Sequence, residues 1–313
     1  MTILKVKYYF KKIIHYLFHP SEFFIRKKIL QLQRNEKLYT DEEFIKAFFK
    51  LKIGNDLNLD NPVTFNEKIQ WLKLFDRNPL YTTMVDKHAV KKYVCDIIGD
   101  EYIATEYACF DSFDDIDFSK LPDKFVLKTT HTSGCVYICK DKNKLDISQI
   151  RNKFVRSLND DYFMHCREWP YKNVPHRIIA EELLETPGFS VLPVYKFFCF
   201  NGQPFILQAI KNDKQLNEEI DYYDLKWQKL KLRQNYQNCK KAFPKPQCFE
   251  KMVELARKLS KGIPFVRCDF FEVCNKVYFS EFTFFSDAGF EKFHPKKWDF
   301  ILGNKIELPR GSK

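Results

Sequence analysis

The sequence predicts an α+β chain in which a helical N-terminal region precedes a body of mixed strands and helices. Three observations carry that prediction. Up to about residue 95, apolar residues recur at helical spacing behind two capping-box patterns. From about residue 100, short runs rich in Val, Ile, Phe and Tyr alternate with polar turns, as strands do. Two helix-like stretches, "ISQIRNKFVRSL" and "FEKMVELARKLSKG", sit among those strands. With 313 residues the chain is long enough for two domains or one large multi-lobed one.

The elements follow in order. Residues 1–37 hold nine Lys/Arg and two Glu, a net +7 of the chain's +11, with aromatic and aliphatic residues between the basic ones. Such a basic amphipathic segment either lies on an anionic membrane surface or packs on the protein body. Nucleic acid is the weaker partner, because the charge sits at one end and no nucleic-acid motif accompanies it. Thr40 with Glu43, and Thr64 with Glu67, start helices, and Gly54 stops the first. "YTTMVDKHAVKKYVCDIIG" predicts one further helix ending at Gly99. "KFVLK" (124–128) and "CVYIC" (135–139) predict strands joined by the polar loop "TTHTSG". "RIIAEELL" (177–184) is an apolar strand ending in acids, and "VYKFFCF" with "PFILQAI" flank "NGQ" as a hairpin. Ten cysteines without a CxxC pair, and no secretory signal, point to free thiols in a reducing, cytoplasmic setting without a zinc site. No apolar run approaches the ~20 residues that span a bilayer.

The last hairpin, "RCDFFEVCNKVYFSEFTFF", carries the most chemistry. A three-residue turn at Cys274-Asn275-Lys276 would pair Val273 with Val277, Phe271 with Phe279, and Asp269 with Glu281. Facing carboxylates, with Cβ atoms about 5 Å apart, repel unless they share a proton, face water or bind a cation. Mg²⁺ is a fitting cation, since it takes one or two carboxylates plus substrate phosphates. On this reasoning Glu281→Gln should leave ligand-free stability level or raised. Thr283 adds an oxygen on the same face, and Arg267 opposite it can reach a phosphate.

Two other stretches are weaker. In "FVLKTTHTSG", Lys128 ends a strand and a small polar loop can aim backbone N–H groups at an anion; the alternative is an ordinary hairpin with a surface Lys. The strand running into Glu181-Glu182-Leu183-Leu184 can offer backbone groups to an adenine edge or be a solvated edge strand. Lys196 follows on the next strand. "DDIDF" contains Asp115-Ile116-Asp117, a DxD pattern used by glycosyltransferases, but in a polar stretch that fits a surface turn better.

The order of these pieces resembles the ATP-grasp superfamily, and most closely its TupA-like (teichuronopeptide biosynthesis) branch. The likeness runs through "PVTFNEKIQWLKLFDRNPLY", "DKFVLKTTHTSG", "REWPYKN", "RIIAEELL", "YKFFCFNGQP", "LSKGIPFVRCDFF" and "SEFTFFSDAGFEKF". It implies an ATP-grasp fold with two α+β lobes clamping ATP. The implied divisions are 1–37, the basic segment; 38–122, a helical region; 123–194, the smaller lobe; and 195–313, the larger lobe with the metal site. It implies that Lys128 and Lys196 contact phosphates, that Thr130 and the loop His131, Thr132, Ser133 and Gly134 close over them, and that Glu181, Glu182, Leu183 and Leu184 hold adenine. Asp269, Glu281 and Thr283, the last standing where many relatives have Asn, would hold Mg²⁺.

Arg267 and Lys196 are the implied stabilisers of phosphoryl transfer, and His131 is one candidate base. Cys135 stands where related loops carry a second glycine, and Val194 where an acid is expected for the ribose. The implied reaction is amide formation between a glycan or sugar carboxylate and an amine or amino acid, through an acyl phosphate, in surface-polysaccharide assembly at the inner face of the plasma membrane. A sugar phosphotransferase on the same fold, and a glycosyltransferase or partner protein of such a pathway, are the alternatives.

Overall fold

The computed structural model describes residues 20–215 and 217–309, so Lys5, Lys7, Lys11 and Lys12 lie outside the described residues. The chain opens with helices α1 (Pro20–Arg34), α2 (Asp41–Ile53), α3 (Phe65–Phe75), α4 (Leu80–Val85) and α5 (Ala89–Ile98). Both capping boxes form. The Thr40 and Thr64 hydroxyls accept from the Glu43 and Glu67 N–H groups, and each Glu carboxylate accepts in return from the Thr N–H. Gly54 ends α2 at φ 96°, a conformation glycine adopts without a Cβ penalty.

The single helix expected over 81–98 is two, broken at Asp86-Lys87-His88. Propensity alone would continue it, but tertiary partners take the backbone and side chains of the break. Asp86 accepts from the His88 N–H (2.9 Å) and from Arg177 (3.0 Å). The Lys87 N–H donates to Thr130 O (3.3 Å). The break thereby aims Lys87 at the loop that follows Lys128.

Strands β1 (Glu106–Phe110), β2 (Phe125–Thr129), β3 (Val136–Cys139) and β4 (Ile178–Glu181) form an antiparallel sheet in the order β1-β4-β2-β3. β1 pairs with β4, so the sheet that carries Lys128 takes in residues from Glu106 onward. Helix α6 (Ile147–Leu158) covers this sheet, and Phe113, Phe125, Leu127, Ile150, Phe154 and Ile178 form a core of their own there. Asp115 and Asp117 cap short turns by accepting from the Ser112 and Ser119 N–H groups, as the surface-turn reading expects.

After the short helix α7 (Tyr162–Cys166) come β5 (Val194–Phe200), β6 (Gln203–Lys211), β7 (Glu219–Asp224), helix α8 (Phe249–Leu259), β8 (Phe265–Val273), β9 (Lys276–Thr283) and α9 (Lys297–Gly303). The five strands are antiparallel in the order β7-β6-β5-β8-β9. One face carries Phe197, Cys268 and Phe270 into the main core, with Phe249 of α8 packed 6.0 Å from Phe197. The other face carries Gln208, Lys196, Arg267 and Asp269 and builds the site. Helix α3 docks at the end of β9: Gln70 and Lys73 donate to the Ala288 carbonyl at 3.0 and 2.7 Å.

The turn of the last hairpin is tighter than expected. Cys274 and Asn275, both at positive φ (49° and 62°), make a two-residue turn, and Val273 pairs with Lys276 instead of Val277. That slip alone would separate the two acids. A bulge between Asp269 and Phe270, opposite Ser280, takes up one residue and restores Asp269 opposite Glu281 and Arg267 opposite Thr283.

Candidate functional site

Strand pairing lines up one residue from each strand of the larger sheet. Tyr222, Gln208, Lys196, Asp269 and Glu281 are successive cross-strand partners from β7 to β9. Gln208 donates to Tyr222 Oη (2.8 Å), and Lys196 Nζ lies 3.1 Å from Asp213 and 3.9 Å from Asp269. One rung further, Arg267 grips Asp269 through Nε and Nη2, both at 2.8 Å. It also donates to Thr283 Oγ1 (3.0 Å) and Ser286 Oγ (3.3 Å). A cavity of about 400 Å³ opens over this row, lined among others by Ser133, Glu168, Lys196, Lys214, Arg267 and Glu281.

The two acids differ. Asp269 is fully buried, and burial pushes it above the usual carboxylate range against the pull of Arg267 and Lys196. Burial also opposes ionisation of Glu281, but Lys214, Lys196, Lys87 and Arg267 together bring it down to about 2. Cations of the protein itself therefore offset the facing carboxylates before any ligand arrives, although Glu281 still adds to the upward shift of Asp269. Glu281 makes no hydrogen bond to a described residue, whereas both oxygens of Asp269 belong to Arg267.

Among the described residues no three His, Cys, Asp or Glu side chains converge as a metal cage. The donors are two carboxylates and the Thr283 hydroxyl, all hard oxygens. They fit Mg²⁺ held partly by substrate phosphates, with Glu281 the freer ligand. Lys87, Lys196, Lys214 and Arg267 stand against Asp213, Asp269 and Glu281, so the site is near charge balance. A polyphosphate entering it must bring cationic charge along.

The four-stranded sheet carries a second charged cluster, and its β2–β3 loop lends Ser133 to the cavity. Lys128 and Lys91 hold Glu181 between them, the latter at 3.0 Å. Burial would raise the Glu181 pKa, but the two ammonium groups lower it. The Glu182 N–H is taken by Thr105 O (2.8 Å). Leu183 and Leu184 make no backbone hydrogen bond to described residues, which leaves their amides available to an adenine edge.

The loop divides into a pinned part and a tip. The Thr130 hydroxyl donates to Pro175 O (2.6 Å), and the Thr132 hydroxyl lies 2.6 Å from that of Thr129. His131 is buried, stacked 3.6 Å from His176, with Nε2 3.1 Å from Ser157 O. Burial and His176 lower its pKa to about 4, so the ring is neutral, and it does not line the cavity. Ser133 and Gly134 form the exposed tip, Gly134 at φ 89°.

Sequence reasoning missed Lys87, Lys91, Asp213, Lys214 and Glu168. Lys87 is half-buried and donates to Thr132 O; desolvation lowers its pKa to about 8 despite Glu281. Its only signal was position, in a helix that the fold breaks.

A family model described as TupA-like ATPgrasp matches residues 67–307. The chain belongs to the TupA-like ATP-grasp family. Among curated proteins none matches in sequence. Similar solved structures include a D-alanine–D-alanine ligase from Bacillus anthracis complexed with ATP, with 17% identity, TM-score 0.38, and 64% of this chain covering 53% of that one. The D-alanine–D-alanine ligase from Helicobacter pylori shares 15% identity at TM-score 0.43, over 80% of this chain and 68% of that one. An ADP complex of purK, N5-carboxyaminoimidazole ribonucleotide synthetase, shares 11% identity at TM-score 0.42, over 78% and 57%. This chain thus spans about half the length of the first of these ligases. At such TM-scores nothing rests on these likenesses beyond the family match.

Proposed function

We propose that this TupA-like ATP-grasp protein joins a glycan or sugar carboxylate to an amine through an acyl phosphate, in the assembly of a cell-surface polysaccharide. The observation that carries the reading is the cross-strand row Lys196–Asp269–Glu281, with Arg267 beside it, Lys87 acting on Glu281 from the break between α4 and α5, and Lys128 on the four-stranded sheet. Such a site holds a triphosphate by charge rather than by covalent catalysis. Lys128, Lys196 and Lys87 bind phosphate oxygens, Ser133 and Gly134 cover them, and Leu183-Leu184 meets adenine. Glu281 and Asp269, with Thr283 beside them, hold Mg²⁺, which offsets phosphate charge when bound. Arg267 orients the acceptor carboxylate and stabilises charge on the acyl-phosphate oxygens. His131, neutral and stacked, fixes the loop rather than moving protons.

The polysaccharide role is supported by the teichuronopeptide branch of the family and by the basic segment 1–37, which would hold the protein at the anionic inner face of the plasma membrane, near a lipid-linked substrate. No helix among the described residues is long and apolar enough to cross a membrane. The test is ADP release from MgATP with uronic-acid glycans against an amine panel, products read by mass. Free phosphate and an amide are expected. A phosphorylated sugar instead would make the protein a phosphotransferase, and binding of UDP-sugar without ATP would overturn both.

A further inference from the structure

Glu168 lines the same cavity and is only 9% exposed. It follows Arg167, a non-glycine residue held at φ 59°, ψ 37° at the end of α7. It begins the short helical turn Trp169–Asn173. Backbone strain of that kind persists where the surroundings enforce it, and here it turns the Glu168 side chain into the cavity. A second strained pair, Asp287 and Ala288 at φ 49° and 51°, lies on the neighbouring wall.

A buried carboxylate ordinarily needs a partner. The Glu168 carboxylate makes no hydrogen bond to a described residue. Its nearest counter-charge, Lys73, is committed elsewhere: the ammonium donates to Ala288 O at 2.7 Å and sits 4.4 Å over the Phe290 ring. No ion pair closes between the two among the described residues. The charged and titratable groups around Glu168 are Lys73 on α3, Arg267 on β8 and Asp287 after β9, with Tyr162 and Cys166 on α7 and Tyr171 nearby. Burial outweighs Lys73 and Arg267 and raises the Glu168 pKa above the usual carboxylate range, the direction that makes a carboxylate a better proton acceptor.

We propose that Glu168 accepts the proton of an incoming primary ammonium group, and that the wall it shares with Asp287, Tyr162 and Tyr171 binds the amine co-substrate. The inference rests on the ligase reading above. The ammonium gives one proton to the Glu168 carboxylate. The freed amine nitrogen attacks the acyl carbon, the C–N bond forms, and the C–O bond to the phosphoryl group breaks with its electron pair leaving on phosphate. The second N–H proton leaves with phosphate. Asp287 draws the cation in, and Arg267 holds the acyl phosphate on the other side.

The test compares the wild-type full chain with Glu168→Gln and Glu168→Asp. ADP release from MgATP is measured with glucuronate as the carboxylate and either ethylamine or hydroxylamine as the amine. Hydroxylamine is largely unprotonated at neutral pH and needs no base. With ethylamine, Glu168→Gln should lose at least tenfold in kcat and lose the acid limb of the pH profile, and Glu168→Asp should recover part of the rate. With hydroxylamine all three should agree within about twofold. Equal losses with both amines in folded protein overturn the proposal. Infrared titration of the carboxyl groups, run alongside MgATP calorimetry, separates the two readings. A wild type that binds MgATP but releases no ADP with either amine refutes glucuronate ligation, not Glu168. The proposal then stands only if a carboxyl band titrating near neutrality vanishes in Glu168→Gln, and falls if no such band exists.

Discussion

Replacing Glu281 by Gln should destabilise the ligand-free protein, the reverse of what two facing carboxylates imply when read from the sequence. The side chain sits in the field of Lys214, Lys196, Lys87 and Arg267, which bring its pKa from 4.5 to about 2. That lowering corresponds to about 3 kcal/mol. Because 28% of the side chain reaches solvent, screening reduces this to about 2 kcal/mol. A depressed carboxylate pKa stabilises the fold fully above the unfolded value near 4.5, and that stability is lost as pH falls toward 2. Gln has no such charge to lose, so wild type and variant should differ at pH 7 and converge in acid. With about 2.1 cal/mol/K of unfolding entropy per residue, the difference at pH 7 is about 3 °C in Tm. Calorimetric melts at pH 7 and at acid pH measure it, and MgATP titration of the same variant should show weakened binding. A variant that melts at or above the wild type at pH 7 would mean that repulsion from Asp269 dominates and that the cations do not compensate Glu281.

Lys87→Met should leave the ligand-free melt level or raised, because a Lys whose folded pKa is lowered to about 8 costs stability below that pH, a cost relieved only as pH rises toward 10.5. The same variant should bind MgATP at least tenfold more weakly by calorimetry, and unchanged affinity would remove Lys87 from the site. Glu181→Gln strips the partner from two ammonium groups and should cost at least about 2 kcal/mol in urea unfolding, since breaking a buried pair leaves its charges uncompensated; a loss below about 0.5 kcal/mol would show the pair to be solvated. Changing Lys5, Lys7, Lys11 and Lys12 to Gln should reduce binding to anionic vesicles, by roughly 1 kcal/mol per residue at low salt, in a flotation assay. Undiminished binding would dispose of the membrane role.

What the sequence determined by itself was what neighbours within four residues decide. The two capping boxes, the Gly54 stop, helix Ile147–Leu158 and the Asn201-Gly202 turn of the β5–β6 hairpin all formed as their own residues dictate, because each signal and its partner lie within one turn of chain. The pairing of Asp269 with Glu281 was also legible, but only because a turn one residue shorter than expected is matched by a bulge at Ser280; alternation along a strand marks a face and does not register an inserted residue. The rest was decided in three dimensions. Arg177 and the Thr130–Thr132 loop, some 45 to 90 residues away in sequence, break a good helix at Asp86–His88 and so bring Lys87 to that loop. Lys73 and Ala288, 215 positions apart, come together so that Lys73 is spent on a carbonyl, and Glu168 is left in the cavity without a hydrogen bond to a described residue. Charge at a site is a sum over everything within a few ångströms, and chain order does not contain that sum. The sequence could therefore name Asp269 and Glu281, while only the fold could say that the first is gripped by Arg267, that the second is held ionised by four cations, and that Glu168 lines the same cavity.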